Sequence, residues 1–359
     1  MATQSLQKRT NTKAEGLAHR RSSRPKKALL AVVSIGVLAL SACAGDTAPT
    51  VSDTDSTAGA APSAGTSIAM VTPASTDEFY LTMYCGARAA AAEQGVDLTI
   101  SGTTEITTES VMLVLTTVLA TEPDGMLLTV WDQEAFNTTM KPYTDSGRPL
   151  VMPDSFISSG DYLQSIRTDS YQSSYDAAVE VAGSFGLSSG KVLIVTDSPG
   201  NGIQSARAEG FKDGIEAETG LEVLEIQYVG NDSAKASGTV TSASAGNDDL
   251  VLVFSTNIGA GTGAANGIAT AGKDIVHVGY DTSSSQVAQL RNGDYDVLVA
   301  QSPYQMGFDS VTLVAQILKG EKNQADVTEQ TMFSKSALVT QENVDSPEMA
   351  TFLYKEDCS

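Results

Sequence analysis

Two polar residues, Asn257 and Asp281, frame the stretch of this chain with the clearest chemistry. Each follows a short apolar run, at 250–254 and 275–278, and each precedes a segment of helical pattern. Repeated β-α units make parallel strands, and in an open parallel sheet ligands bind at the rim past the strands' carboxyl ends. The same stretch contains Gly259-x-Gly261-x-x-Ala264, with Asp281 a further 17 residues on, which imitates a dinucleotide-binding fingerprint. In that fingerprint the first glycine follows the strand almost directly, whereas Ser255-Thr256-Asn257-Ile258 intervene here. The glycines suit a tight strand-to-helix turn instead, with Gly263 and Gly267 letting the helix pack closely. An NAD-dependent oxidoreductase is the less supported reading, and no cofactor is expected.

The same kinds of residue recur at other expected strand ends. The run at 68–71 leads to Asp77, Phe79 and Tyr80, the run at 125–129 to Trp131, and the run at 150–152 to Asp154. Further along, 191–196 is followed by Arg207, 222–228 by Asn231 and 297–300 by Gln301. Carboxylates accept from hydroxyls, Arg donates in a fixed fork, and Asn or Gln does both. Aromatic faces cover the C–H patches of a sugar ring. Together they describe a site for a polyhydroxylated, uncharged ligand. Each residue also has a plain structural alternative. Phe79 and Tyr80 could staple a helix to its core, Trp131 could be core, Asp154 and Asp281 could be N-caps, and Arg207 could pair with Glu209 or Asp213 on a helix surface. Recurrence at strand ends favours binding.

The elements that position these residues begin at Ser67. Short apolar strands (68–71, 98–100, 125–129, 149–152) alternate with helical segments (77–94, 107–120, 133–146). After Ile166-Arg167-Thr168-Asp169 a second series repeats the rhythm, with helices at 173–185, 202–219, 234–245, 259–271 and 283–292 between strands, then a last helix at 304–319. Strands that are apolar throughout imply sheets covered on both faces. The expected fold class is α/β, two similar doubly wound parallel-sheet lobes of about 120 residues each.

Before that body come a basic segment, an apolar run at 28–40 too short for a comfortable membrane span, and Leu40-Ser41-Ala42-Cys43. This pattern predicts an export leader over 1–42, cleavage before Cys43, and lipid on its sulfur. Residues 43–66, rich in Ala, Gly, Ser, Thr and Pro, read as a disordered tether. The leader holds eight of the 22 Lys/Arg and one of the 43 Asp/Glu, so the remainder has a net charge of −28. Such a surface repels nucleic acid and anionic headgroups, leaving the lipid as the expected membrane attachment. With Cys43 lipidated, Cys85 and Cys358 form an even pair in an oxidising compartment, either bonded or as a buried cysteine and a loose terminal thiol. His277, the one histidine outside the leader, falls inside a strand, which leaves no His-based metal site and no Ser-His-Asp or Cys-His pair.

From Ser67 to about Asn343 the chain resembles the ribose/galactose-type periplasmic sugar-binding proteins, solute receptors of ABC importers. The motifs are the opening strand with Phe79-Tyr80, Leu150-Val151-Met152-Pro153-Asp154, Ile166-Arg167-Thr168-Asp169, Arg207-Ala208-Glu209-Gly210-Phe211, Val253-Phe254-Ser255-Thr256-Asn257, Val278-Gly279-Tyr280-Asp281 and Ala300-Gln301-Ser302-Pro303. The resemblance implies ring stacking by Phe79 and Tyr80, and hydroxyl binding by Asp154, Arg207, Asn257, Asp281 and Gln301. It implies a ligand cleft between lobes joined by a three-crossing hinge, near Asp169, Gln301 and 328–332. The lobes would then comprise 67–169 with 302–330 and 170–301 with 331–343, leaving 344–359 as an extension. It further implies a monomeric, non-enzymatic receptor outside the cytoplasmic membrane that delivers a pentose, hexose or polyol to a cognate ABC permease. A sugar or furanosyl-signal receptor docking on a membrane sensor is the alternative. The sequence departs from the family at Ser155, where arginine is frequent, at Ile258, where an acid is common, at Asn231, where the ribose receptor has an aromatic, and before Phe79, where Asp77 stands near the usual asparagine.

Overall fold

The structure, a computed structural model, describes residues 65–105 and 107–358. The expected leader, the Cys43 lipidation position and nearly all of the tether lie outside the described residues.

The first β-α series builds one sheet. Strands β1 (Ser67–Thr72), β2 (Asp97–Gly102), β3 (Gly125–Leu128), β4 (Leu150–Pro153) and β5 (Gln164–Thr168) alternate with helices α1 (Glu78–Gln94), α2 (Thr108–Leu119) and α3 (Asn137–Asp145). The second series is α4 (Ser170–Ser184), β6 (Lys191–Thr196), α5 (Gly202–Glu218), β7 (Glu222–Val223), β8 (Gln227–Tyr228), α6 (Ser233–Gly246), β9 (Leu250–Ser255), α7 (Ile258–Ala271), β10 (Val276–Tyr280), α8 (Ser284–Asn292) and β11 (Val297–Ala300). Helix α9 (Pro303–Leu318) returns to the first sheet, and β12 (Thr331–Ser334) and β13 (Ala337–Thr340) follow.

The first sheet runs β12-β5-β4-β3-β1-β2 and the second β13-β11-β10-β9-β6-β7, with β8 also on β6. All pairings are parallel except β11 with β13. In each sheet the order reverses once, at β1/β3 and at β6/β9, and such switch points open a crevice at the strands' carboxyl ends. The central strands are apolar because both faces are covered: β1 lends Met70 to the core beneath α1 and α9, and Val71 to the core beneath α2 and α3.

Close helix contacts depend on glycine at a few positions. A Cβ on Gly307 would lie 2.1 Å from the carbonyl of Met83, and one on Gly86 would overlap the Tyr304 carbonyl, so α1 and α9 cross at backbone contact. In the glycine-rich helix, a Cβ on Gly263 would lie 2.3 Å from the Ser233 carbonyl and 2.6 Å from the Ala236 Cβ. Gly263, and likewise Gly267 against Ser237 and Val240, therefore serves the packing of α7 on α6. Gly263→Val should lower the unfolding free energy by about 2–3 kcal/mol through overpacking, read as a lower urea midpoint at unchanged slope.

Two expectations need correction. The family resemblance places residues 331–334 in the second lobe, yet β12 extends the first sheet beside β5, where Met332 pairs with Ile166 and packs on that lobe's core. The last crossing therefore falls at 335–336, where Ser302 Oγ donates to the Lys335 carbonyl at 2.7 Å. The strand expected over 222–228 is broken into β7 and β8, because Leu224 and Ile226 turn to different cores.

Candidate functional site

The carboxyl ends of both sheets face one cleft lined by residues of both series, the place where ligands bind in sheets of this kind. All ten residues singled out from the sequence line it: Asp77, Phe79, Tyr80, Trp131 and Asp154 from the first series, Arg207, Asn231, Asn257, Asp281 and Gln301 from the second. Val130, Gln133, Asn201, Ile203, Gln204 and Ile258 also line it and are not among the site residues expected from the sequence, Ile258 being marked there only as a departure from the family. Gln204 had a usable signal, since it precedes Arg207 by three positions and so shares a helix face with it.

In the first lobe, Asp77 ends the turn after β1 and caps α1, its Oδ1 accepting from Phe79 N at 2.8 Å. Desolvation raises its pKa to about 6, opposed by that backbone bond and assisted by Asp281 and Glu78. Phe79 packs edge-on against Tyr80 and Tyr354, with centroids 5.2 and 5.5 Å away. Asp154 follows β4 with φ of 58°, a left-handed backbone uncommon for a non-glycine residue. It is not a helix cap. Desolvation lifts its pKa to about 7, against the pull of Arg207, and Asp281 adds repulsion. The neighbouring Ser155 turns inward, its Oγ accepting from Val130 N at 3.1 Å. That hydroxyl ties β4 to the loop after β3, in the place of the family's arginine.

The second lobe contributes a buried cation. Arg207 on α5 is 3% exposed, donates through Nη1 to the Thr256 carbonyl at 2.8 Å, and lies 3.8 Å over the Tyr280 ring. It pairs with neither Glu209 nor Asp213. Burial opposes its charge, but Asp281, Tyr280 and Asp154 more than offset this and its pKa is raised. The Gln204 amide fits the network when its nitrogen donates to Thr256 O and its oxygen accepts from Arg207 at 3.2 Å.

Asn257 and Asn231 prove to be partly structural. Asn257 caps α7, accepting from Ala260 N at 2.8 Å, and Asn231 accepts from Gly259 N at 2.8 Å. The Gly259 amide, which a phosphate cradle would need free, is thereby occupied. Asp281 has φ of 79° and is no cap; Ser283 caps α8. Oδ1 of Asp281 accepts from Gln301 Nε2 at 2.7 Å and from the Tyr354 hydroxyl at 2.8 Å. Gln301 in turn accepts from Thr168 Oγ1 at 2.8 Å, so the chain of bonds reaches the end of β5 in the first sheet.

Three buried polar atoms on cleft-lining residues have no hydrogen-bond partner among the described residues: Trp131 Nε1, Gln133 Nε2 and Arg207 Nε. All are donors, and unpaired buried donors are costly unless a ligand or water completes them. His277 is elsewhere, buried in β10 against Tyr295 and kept neutral by burial, which lowers its pKa to about 4. Cys85 in α1 is bonded to Cys358 (S–S 2.05 Å), so of the two sequence alternatives the structure has the bridge.

Known proteins fit this geometry. The ribose import binding protein of Salmonella typhimurium is 27% identical over 201 residues, covering 56% of this chain and 67% of that protein. Among solved structures, an ABC transporter solute-binding protein from Agrobacterium vitis with bound α-D-tagatopyranose is 30% identical, with a TM-score of 0.74 over 80% of this chain and 99% of the other. A second from the same organism, with bound D-fucose, is 26% identical with a TM-score of 0.72 over 80% and 99%. These are import and transport binding proteins, not enzymes, which removes the dehydrogenase reading together with the occupied Gly259 amide. A family model for the periplasmic binding protein domain matches residues 68–322, a span that holds every residue of the cleft, and the chain belongs to that family.

Proposed function

We propose that this protein captures a monosaccharide or polyol between its two lobes and delivers it to the permease of an ABC importer. The observation that carries the reading is the trio of buried donors, Trp131 Nε1, Gln133 Nε2 and Arg207 Nε, on the same wall system as Asp77, Asp154 and Asp281. A ligand that completes them must accept at several points and donate at others while carrying no net charge. A sugar does both with its hydroxyls, and Phe79 offers an aromatic surface for its C–H face. The likeness to the tagatose- and fucose-bound receptors supports the same class. The expected leader and Cys43 supply the location: outside the cytoplasmic membrane, held by lipid, as a monomer that docks on its permease.

Hinge bending closes the lobes around the ligand, because the closed form is favoured only by contacts both lobes make together. The test is a thermal-shift screen across pentoses, hexoses and polyols, including D-ribose, D-tagatose and D-fucose, followed by calorimetry of the hits. Binding raises the melting temperature by mass action. A screen in which no sugar or polyol shifts the transition sinks the reading. In the same assay Asp281→Ala should weaken binding more than about tenfold by removing an acceptor and unpairing Gln301 and Tyr354, and unchanged affinity would remove Asp281 from the site.

A further inference from the structure

The C-terminal extension, which the family resemblance covers poorly, runs from one lobe to the other behind the cleft. Val344 and Met349 are buried in the second lobe's core with Leu290 and Leu298. The chain then bonds to the residue after Asp281: Thr282 Oγ1 donates to the Phe352 carbonyl at 2.5 Å, and Tyr354 N donates to the Thr282 carbonyl at 3.1 Å. Next it enters the first lobe. Tyr354, 6% exposed, packs in that lobe's core beside Phe79, Lys355 N donates to Thr82 Oγ1 on α1 at 2.7 Å, and Cys358 is bonded to Cys85 on the same helix. Helix α1 is capped by Asp77 and carries Phe79 and Tyr80.

We propose that Tyr354 is a positioning residue of the cleft, its hydroxyl holding Oδ1 of Asp281 and its ring holding Phe79, with the Cys85–Cys358 bridge keeping it there. Tyr354 does not itself line the cleft, so it acts through those two neighbours. Both bonds to the Asp281 carboxylate fall on Oδ1, which leaves Oδ2 without a protein partner among the described residues and able to accept from a ligand. A carboxylate held by two fixed donors keeps one orientation, whereas one held by Gln301 alone is free to swing about that single bond. The strap also adds a covalent link between the lobes beyond the three backbone crossings, and so limits how far the cleft opens.

The proposal rests on the reading of the cleft as a sugar site, and the test separates the two. Its first arm uses no sugar. In unliganded protein labelled with ¹³C at aspartate carboxyls, Tyr354→Phe should move the resonance assigned by Asp281→Asn and leave the other carboxyls in place. The chain's single tryptophan, Trp131, lines the cleft, and Cys358→Ser should raise its acrylamide quenching constant about twofold as the strap releases. A fixed Asp281 resonance, or quenching unchanged by Cys358→Ser, would overturn the proposal whatever the ligand. The second arm titrates D-ribose, D-tagatose and D-fucose. Tyr354→Phe keeps the ring that packs on Phe79, so a purely structural role predicts wild-type kinetics at an unchanged melting temperature. Positioning predicts a dissociation rate raised about tenfold with the association rate unchanged. Equal rates for both proteins would overturn it. Wild-type protein that binds none of the three counts against the sugar reading for this panel, while the Asp281 resonance still decides the role of Tyr354.

Discussion

Arg207→Met is expected to raise the dissociation constant for the cleft's ligand by about a hundredfold or more, the cost of losing a buried charged donor together with its partners' charge balance. Methionine fills much of the same volume, so the change isolates charge and hydrogen bonding from packing. Arg207 donates to the Thr256 carbonyl and covers the face of Tyr280, and these two contacts hold the guanidinium still before any ligand arrives. Its Nε has no partner among the described residues, which makes it a ready donor. A second loss compounds the first. Arg207 is the strongest influence keeping Asp154 ionised against burial, so without it the Asp154 carboxyl protonates at higher pH and accepts less well. Arg207→Lys should fall between, because an ammonium keeps the charge but cannot donate in a planar fork. Calorimetric titration of the three proteins at pH 8 checks the order. Affinity of the methionine variant within threefold of wild type would remove Arg207 from the binding machinery.

The amino-acid sequence is most legible where local chemistry and topology coincide. Strands such as β9 and β11 are uninterrupted apolar runs, so their carboxyl ends, and therefore the rim positions of Asn257 and Gln301, follow from the pattern of residues alone. Arg207 is findable for a different reason: its motif carries a family resemblance, although one helix position looks like another by periodicity alone. Cleft residues without a distinctive signal are lost. Asn201 and Gln133 stand in turns rather than at strand ends, and polar residues in turns are too common to single out. Ile203 reads as an ordinary helix residue and Ile258 as part of the turn before a helix until a cleft is known to face them.

Long-range pairings are the least legible. Nothing local says that Met332 lies beside Ile166, because a four-residue strand after a loop has no periodicity that selects one sheet over another. The tail has the same difficulty in a stronger form. Tyr354 reaches Asp281 across 73 residues and Cys358 reaches Cys85 across 273, and only three-dimensional closure brings them together. For Asp154 and Asp281 the backbone decides against the N-cap alternative: both adopt positive φ, a conformation that caps do not use and that costs about 1–3 kcal/mol at a non-glycine residue unless its surroundings hold it. Asp77 and Asn257, by contrast, line the cleft and cap helices at once, so their oxygens are shared between fold and ligand.

Acid should weaken binding and, in the empty protein, strengthen the fold, with Asp154 as the main cause of both. Its folded pKa of about 7 lies above the ordinary aspartate value of 3.8. Between those values the folded state binds more protons than the unfolded chain, so this group's contribution to stability falls as pH rises through that window and is level above it. Asp77, with a pKa of about 6, adds a smaller contribution of the same sign. Ligand reverses the preference, because a carboxylate accepts hydroxyls on both oxygens only when ionised. The apparent dissociation constant should therefore rise below pH 7 and, as Asp77 also protonates, more steeply below pH 6, by about a thousandfold between pH 8 and pH 5. Binding near neutral pH should release protons, seen as a heat that varies with the ionisation enthalpy of the buffer. Asp154→Asn removes the main titrating group: it should bind more weakly at pH 8, lose most of the pH dependence between 8 and 6, and lose most of the acid-side gain in melting temperature of the empty protein. If wild type and Asp154→Asn showed parallel pH profiles for both binding and melting, the carboxyl of Asp154 would not be the group that receives the ligand.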